Sequence, residues 1–210
     1  MPINIPESLP AVSILQRENI FVMTESRAQS QDIRPLNIAV LNLMPTKVET
    51  ETQLLRLLGN SPIQVEVDLL KTESYSPTNT AEEHLLEFYQ PVSKVKERFY
   101  DGLIITGAPV ELLDFEEVDY WTELVDIFNW AESHVFSLLA ICWGAQAALY
   151  HYYGIPKIKM KNKLSGVFEH RVLEKTNKLT RGFDDRFFAP HSRYTTLNRE
   201  EILRRPDLNL

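Results

Sequence analysis

The 210-residue chain has one cysteine, Cys142. Without a second thiol there is no internal disulfide and no two-cysteine metal motif. Apolar runs are short, and none approaches the roughly 18 residues that a membrane-crossing helix needs. The N-terminal MPINIPESLPAV lacks a basic stretch followed by an apolar core, so no secretory signal is evident. Basic residues are the minority: 22 Lys and Arg stand against 29 Asp and Glu, for a formal net charge of −7. That balance argues against a nucleic-acid-binding protein, which needs a basic stripe. Internal repeats and low-complexity tracts are missing too. These absences point to a cytoplasmic, soluble protein with no membrane partner. Its 44% hydrophobic content is enough for a substantial core without disulfides or metal.

Residues 1–35 carry Pro2, Pro6, Pro10 and Pro35 and no long periodic stretch. They read as an N-terminal arm over the body, pinned by the apolar patch Ile20-Phe21-Val22-Met23. From Asn37 the pattern changes to alternating strands and helices. Four buried strands are expected at 37–43, 63–70, 102–109 and 135–141. Thr46 with Glu49, and Thr80 with Glu83, are spaced as capping boxes for two intervening helices. The first helix should turn Val48, Leu54, Leu55, Leu57 and Leu58 to the core and end at Gly59-Asn60. A helix over 116–134 should bury Trp121, Leu124, Val125, Phe128 and Ala131, and another runs from Trp143 to about Tyr152. The alternation predicts a doubly wound α/β fold with a mainly parallel sheet. After Gly154-Ile155-Pro156 it stops, and short strand-like runs suggest a β-rich covering segment. The expected organisation is one α/β domain: arm 1–35, core 36–156, covering segment 157–210.

Ligands of open α/β sheets sit at the carboxyl ends of the strands. Three features fall there: Met44-Pro45-Thr46-Lys47, Thr106-Gly107-Ala108-Pro109 and Cys142-Trp143-Gly144. A nucleophile on a sharp strand-to-helix turn projects alone above the sheet, and a helix N-terminus favours a thiolate and offers N–H groups to an oxyanion. Ile141-Cys142-Trp143-Gly144 resembles such an elbow, with Ala140 where a glycine would usually precede. A lone cysteine ending an apolar strand is equally readable as core. Gly107 tilts the balance, because it lets the backbone approach a ligand and could supply a second oxyanion donor beside the Trp143 N–H.

A cysteine nucleophile needs a base. His84, His134 and His151 lie on helices or at their ends and read as structural, His170 sits in a strand-like run, and His191 on a polar turn is the best candidate within the chain. None has metal-site spacing. Lys163, Ser192 and Arg193 could meet an anionic or zwitterionic ligand, or could be solvated surface. Glu111, two residues past the Gly107-Ala108-Pro109 turn, would bring a carboxylate toward the pocket or stand exposed on a loop. Lys47 reads as a helix-start lysine in solvent, with an active-site cation as the alternative.

Together, LNLMPTKVETETQLLRLL, the strand-end TGAP, ICWGAQAALYHYYGIPK, KLSGVFEHRVL and LTRGFDDRFFAPHSRY resemble the homoserine O-acyltransferase family related to homoserine transsuccinylase. The resemblance runs from Met1 to about Tyr194. It implies a class I glutamine amidotransferase-like (flavodoxin-like) fold and acyl transfer from acyl-CoA to the hydroxyl of L-homoserine, a step of methionine biosynthesis. Acyl-CoA is then a co-substrate, with no cofactor bound and no metal. Cys142 corresponds to the acyl-thioester nucleophile, and Lys163 and Ser192 to substrate-binding positions, while the N–H groups of Trp143 and Ala108 are the oxyanion donors read from the two strand-end turns. Glu111 matches a position tied to donor choice, where glycine accompanies succinyl-CoA and glutamate acetyl-CoA. A carboxylate there would face a succinyl carboxylate across a poorly solvated pocket, so acetyl transfer is favoured. The base histidine, its orienting glutamate and a substrate-binding arginine are expected beyond Leu210. That weakens the case for His191, which would instead shape the pocket next to Ser192, and little turnover is expected from residues 1–210 alone. A homoserine O-succinyltransferase, an amidotransferase-like hydrolase and a non-catalytic binding fragment remain the alternatives, and a homodimer is left open.

Overall fold

The computed structural model describes residues 3–20, 22–23, 34–75 and 80–209. By its internal contacts the chain divides into two compact units, Met1–Val110 with Asp114–Ala148, and Glu111–Leu113 with Leu149–Leu210.

The first unit holds a parallel sheet of seven strands: β1 (Ile3–Asn4), β2 (Val22–Met23), β3 (Leu36–Leu41), β4 (Val65–Lys71), β5 (Tyr89–Pro91), β6 (Gly102–Ile105) and β7 (Leu138–Ala140). Their order is β2-β1-β4-β3-β6-β7, with β5 paired to the last residues of β4. The four strands legible in the sequence are β3, β4, β6 and β7. The other three are two or three residues long, too short for any periodicity to show. Helices α1 (Pro10–Arg17), α2 (Lys47–Gly59), α3 (Glu82–Phe88) and α4 (Trp121–His134) connect them, and α5 (Trp143–Tyr153) follows β7.

Successive strand residues face opposite sides. Val40, Leu69 and Ile104 join one apolar cluster with Leu9, Ala11, Val12 and Leu15 around α1, Leu55 of α2 and Leu85 of α3. The described part of the first 35 residues contributes two short strands to the sheet and α1 to its core. Pro10 begins α1 without cost because a first-turn N–H has no intrahelical acceptor. Of the expected pinning patch, Phe21 lies outside the described residues.

Two expectations fail on α2. The Thr46 side chain makes no cap hydrogen bond, and Leu57 is 73% exposed while Lys47, Glu51, Thr52 and Leu55 are buried. The Thr80 capping box is also absent: α3 begins at Glu82, and the Thr80 hydroxyl donates to the Pro45 carbonyl instead (3.0 Å). In α4 the buried stripe is Leu124, Ile127, Phe128 and Ala131, with Trp121 and Val125 half-buried. The sequence predicts β7 buried on both faces, yet Leu139 is 55% exposed. Among the described residues β7 is an edge strand, paired only to β6.

The second unit contains an antiparallel ribbon of β8 (Lys157–Arg171) and β9 (Arg186–Leu197), followed by α6 (Arg199–Leu203). The ribbon is two long strands rather than several short ones. Its Ser165-Gly166 pair stays inside β8, with Gly166 at φ 150°, and the register shifts between Lys159 and Leu164.

One contact in the first unit sets where α5 can lie. A Cβ on Gly144 would stand 2.6 Å from the Thr106 carbonyl oxygen and 3.2 Å from Ile105 Cγ2. Backbone cannot yield as a flexible side chain can. Gly144→Ala should therefore lower stability by about 1–3 kcal/mol, measured as a reduced urea midpoint at unchanged m-value.

Candidate active site

In this sheet the chain passes from β3 to β4 on one side and returns to β6 on the other. The loops after β3 and β6 thus flank the topological switch point, where a crevice opens at the carboxyl ends of the strands. Leu43 N–H donates to Thr106 Oγ1 across this point (2.7 Å), and Thr106 Oγ1 donates to the Gly107 carbonyl (3.1 Å). Thr106 N–H in turn donates to the Leu41 carbonyl (3.1 Å). The two loops are therefore hydrogen-bonded to each other.

Cys142 stands at the next strand end. Its φ is 55°, in the left-handed region that a side chain with a Cβ rarely occupies. The turn is fixed on both sides: Ile141 N–H donates to the Ile105 carbonyl (2.9 Å), and the Gly144, Ala145 and Gln146 amides turn back to the Ile141 and Cys142 carbonyls. A Cβ on Gly107 would lie 3.1 Å from Cys142 Cβ and 3.5 Å from its Sγ. The absence of a side chain at 107 thus makes room for the thiol. Cys142 is exposed. That exposure does not fit the core reading of this residue. Trp143 does the opposite: it is fully buried against Phe115 and Tyr120, with ring centroids 5.9 and 6.0 Å away. Ala108 is buried. The Cys142-Trp143 turn after β7 thus stands beside the Gly107-Ala108 turn after β6.

Lys163, Ser192 and Glu111 belong to the second unit. Ser192 pairs with Ser165 across the ribbon, and Lys163 Nζ lies 5.4 Å from the Tyr194 ring centroid. Alternation puts Ser192 and Tyr194 on one face, so Lys163 and Ser192 share it. His191 is on the other face, stacked on His170 with their Nε2 atoms 2.7 Å apart. Its pKa is lowered by partial desolvation and by the neighbouring Arg193 and His170. The expectation that His191 stands with Ser192 fails for this reason, since neighbours along a strand face away from each other. Glu111 is half-buried in a short segment whose Leu113 carbonyl accepts from Lys157 Nζ. His134 stacks between Phe99 and Trp130, and His84 is bonded to Glu51. Among the described residues there is no group of three or more His, Cys, Asp or Glu able to hold a metal, and no helix long and apolar enough to cross a membrane.

Sequence reasoning missed the burial of Lys47. It is 4% exposed, and its ammonium donates to the Asn42 and Met44 carbonyls at the end of β3. The available signal was an amphipathic helix whose apolar stripe could be drawn through Lys47, Glu51 and Leu55 as readily as through Leu54 and Leu57. Helical periodicity alone does not decide between them.

The family model described as homoserine O-succinyltransferase matches residues 2–210. Homoserine O-acetyltransferase of Clostridium acetobutylicum is 56% identical over all 210 residues of this chain and 70% of that protein. Homoserine O-acetyltransferase of Thermotoga neapolitana is 60% identical over the whole chain and 69% of its own length. The chain thus spans about 70% of the length of these relatives. Among solved structures, a putative GMP synthase component from Thermoplasma acidophilum superposes with a TM-score of 0.54 at 18% identity, covering 79% of this chain and 68% of that one. That likeness concerns the fold, which is the α/β architecture of the amidotransferase-like class. With a family match along essentially its whole length and relatives at this identity, the chain belongs to the homoserine O-succinyltransferase family and is a homoserine O-acyltransferase.

Proposed function

We propose that the chain carries an acyl group from acyl-CoA to the hydroxyl of L-homoserine through a thioester on Cys142, with acetyl-CoA as the preferred donor, in cytoplasmic methionine biosynthesis. The observation that carries this reading is the exposed Cys142 held at φ 55° between a strand end and a helix N-terminus. A non-glycine residue in that region costs of order 1–3 kcal/mol. Strain of this kind persists where the surrounding structure imposes it, and here it lifts a nucleophile clear of the sheet.

The chemistry follows in two halves. Cys142 Sγ, as thiolate, attacks the carbonyl carbon of the acyl-CoA thioester. The oxyanion so formed accepts from the Trp143 N–H, which stands at the first helical position and has no intrahelical acceptor, and from the N–H of Ala108 in the turn beside the thiol. The carbon–sulfur bond to CoA breaks, and CoA leaves as a thiolate that takes up a proton. The homoserine hydroxyl then attacks the Cys142 thioester and gives its proton to a base, the Sγ–carbon bond breaks, and O-acylhomoserine is released. Lys163 and Ser192, on one face of the ribbon, are read as contacts to the substrate's charged and polar groups. None of these steps calls for a metal.

Donor choice is assigned to Glu111. Its carboxylate would repel the free carboxylate of a succinyl group and is indifferent to acetyl. The relatives described above are O-acetyltransferases, which supports the same choice. The description of the matching family as O-succinyltransferase keeps succinyl-CoA as the second reading.

Incubation with acetyl-CoA followed by mass spectrometry should show one acetyl adduct, on Cys142. Cys142→Ala should show none, and an adduct that persisted would overturn the thioester mechanism. For the donor, Glu111→Gly should raise the succinyl-CoA to acetyl-CoA rate ratio by about tenfold or more, since one removed like-charge contact is worth at least ~1.4 kcal/mol. An unchanged ratio would remove Glu111 from donor selection.

A further inference from the structure

Beneath the crevice lies a buried polar cluster that the mechanism above does not use. Glu51 on α2 is 0% exposed. One of its oxygens, Oε2, accepts from the Tyr89 hydroxyl (2.8 Å) and bonds His84 Nε2 (3.1 Å). Its other oxygen has no hydrogen-bond partner among the described residues. The Tyr89 hydroxyl also accepts from Asn42 Nδ2 (2.9 Å), and Lys47 Nζ sits 5.4 Å from the Tyr89 ring centroid. Asn42 is the first residue after β3, and its Oδ1 accepts from Met44 N–H (3.1 Å). Apart from the His84 contact, these polar connections lead through Tyr89, Asn42 and Lys47 to the loop from Asn42 to Thr46.

We propose that Glu51 and Tyr89 are positioning residues for the Cys142 turn. They hold the Lys47 ammonium and the Asn42 amide against the loop after β3, and that loop holds Thr106 and Gly107 beside the thiol. The path is a sequence of contacts already given: Lys47 to the Asn42 and Met44 carbonyls, Leu43 N–H to Thr106 Oγ1, Thr106 Oγ1 to the Gly107 carbonyl, and Gly107 against Cys142. The proposal rests on the reading of Cys142 as nucleophile.

The reason for a carboxylate in this place is electrostatic. An ammonium buried among carbonyls and an aromatic face is costly unless an opposite charge is near. Glu51 is four residues from Lys47 on the same helix, so it lies one turn along the same face. Burial brings the Lys47 pKa down to about 8, Glu51 opposes that fall, and Lys71 on β4 adds to it. The remaining groups against this site are uncharged Tyr89 from β5 and, through Glu51, His84 from α3. Burial and the adjoining Glu51 push the Tyr89 pKa well up, so its hydroxyl keeps its proton and stays a donor. Removing the negative charge at 51 leaves Lys47 with burial and Lys71 alone, and its proton is then lost at lower pH. A neutral amine binds the two carbonyls less firmly, and the oxyanion donor on the Gly107-Ala108 turn is released from its position.

The test uses the single thiol twice. Acylation of Cys142 by acetyl-CoA needs the oxyanion donors, whereas alkylation by iodoacetamide needs only an accessible thiolate. Glu51→Gln keeps the volume and the acceptor for Tyr89 but removes the charge. It should slow acylation by about tenfold, the scale of one weakened oxyanion donor, and leave alkylation within about twofold of wild type. The high-pH limb of the acylation profile should also move to lower pH. Tyr89→Phe should slow acylation with that limb in place, because the charge at 51 remains. Wild-type acylation at every pH in Glu51→Gln would overturn the proposal. So would an equal loss of acylation and alkylation with an unmoved limb, which is the signature of a merely structural role. If the wild-type chain takes up no acyl group, the nucleophile reading fails by itself. The cluster is then judged by side-chain NMR of Lys47: a lower titration midpoint in Glu51→Gln supports the charge coupling, and an unchanged one overturns it.

Discussion

The site depends on the close approach of two backbones at the end of β6. Gly144 allows the first turn of α5 to come against the Thr106 carbonyl, and Gly107 leaves room for the Cys142 side chain. Either position with a Cβ would push α5 and the 106–108 turn apart. Between these two close approaches Cys142 takes the positive φ, which cysteine has no intrinsic preference for. The strain at the thiol accompanies the packing of a strand end against a helix start.

That packing is supported from the opposite side of the switch point by groups that are expensive to bury. Apolar residues in place of both Glu51 and Lys47 would fill the same space without a desolvation penalty, as joint replacements of buried charges elsewhere show. The charges do something a methylene cannot: they give the loop after β3 directional hydrogen bonds, which tie it to one register against Thr106. A purely apolar loop base would be held by area alone and could slide. The same logic explains why Thr106, itself buried, is tied on three sides.

Much of this was legible in the sequence. Strands β3, β4, β6 and β7 announce themselves as short β-branched runs, and the alternation with helices is enough for the parallel sheet and its ligand edge. Cys142 and Gly107 could be placed at that edge together. Strands β1, β2 and β5 could not, because pairs and triplets of residues carry no periodicity and owe their extended form to the neighbouring strand. The two capping boxes show the limit of local motifs. Thr80 stands before the helix start, and its hydroxyl donates to the Pro45 carbonyl, a contact between segments 35 residues apart that no window of sequence displays. Lys47 was misplaced because an average over lysines puts them in solvent, whereas this one turns back to the Asn42 and Met44 carbonyls at the strand end and is buried there.

The ribbon illustrates a further distinction, between proximity in sequence and in space. Ser192 and His191 are adjacent along β9 and so belong to opposite faces, whereas Lys163 and Ser192 come from different strands and share one. Polar pairs on a two-stranded ribbon can be fixed only if the register is fixed, since a slip of one residue would exchange the faces. The shift between Lys159 and Leu164, within which Lys163 lies, sets that register, and Gly166 at φ 150° lies in the paired stretch beyond it. The face bearing Lys163 and Ser192 is thus specified by an irregularity in β8, much as the direction of Cys142 is specified by an irregularity in its turn. In both units the residues assigned to chemistry sit where the regular pattern of the secondary structure is broken.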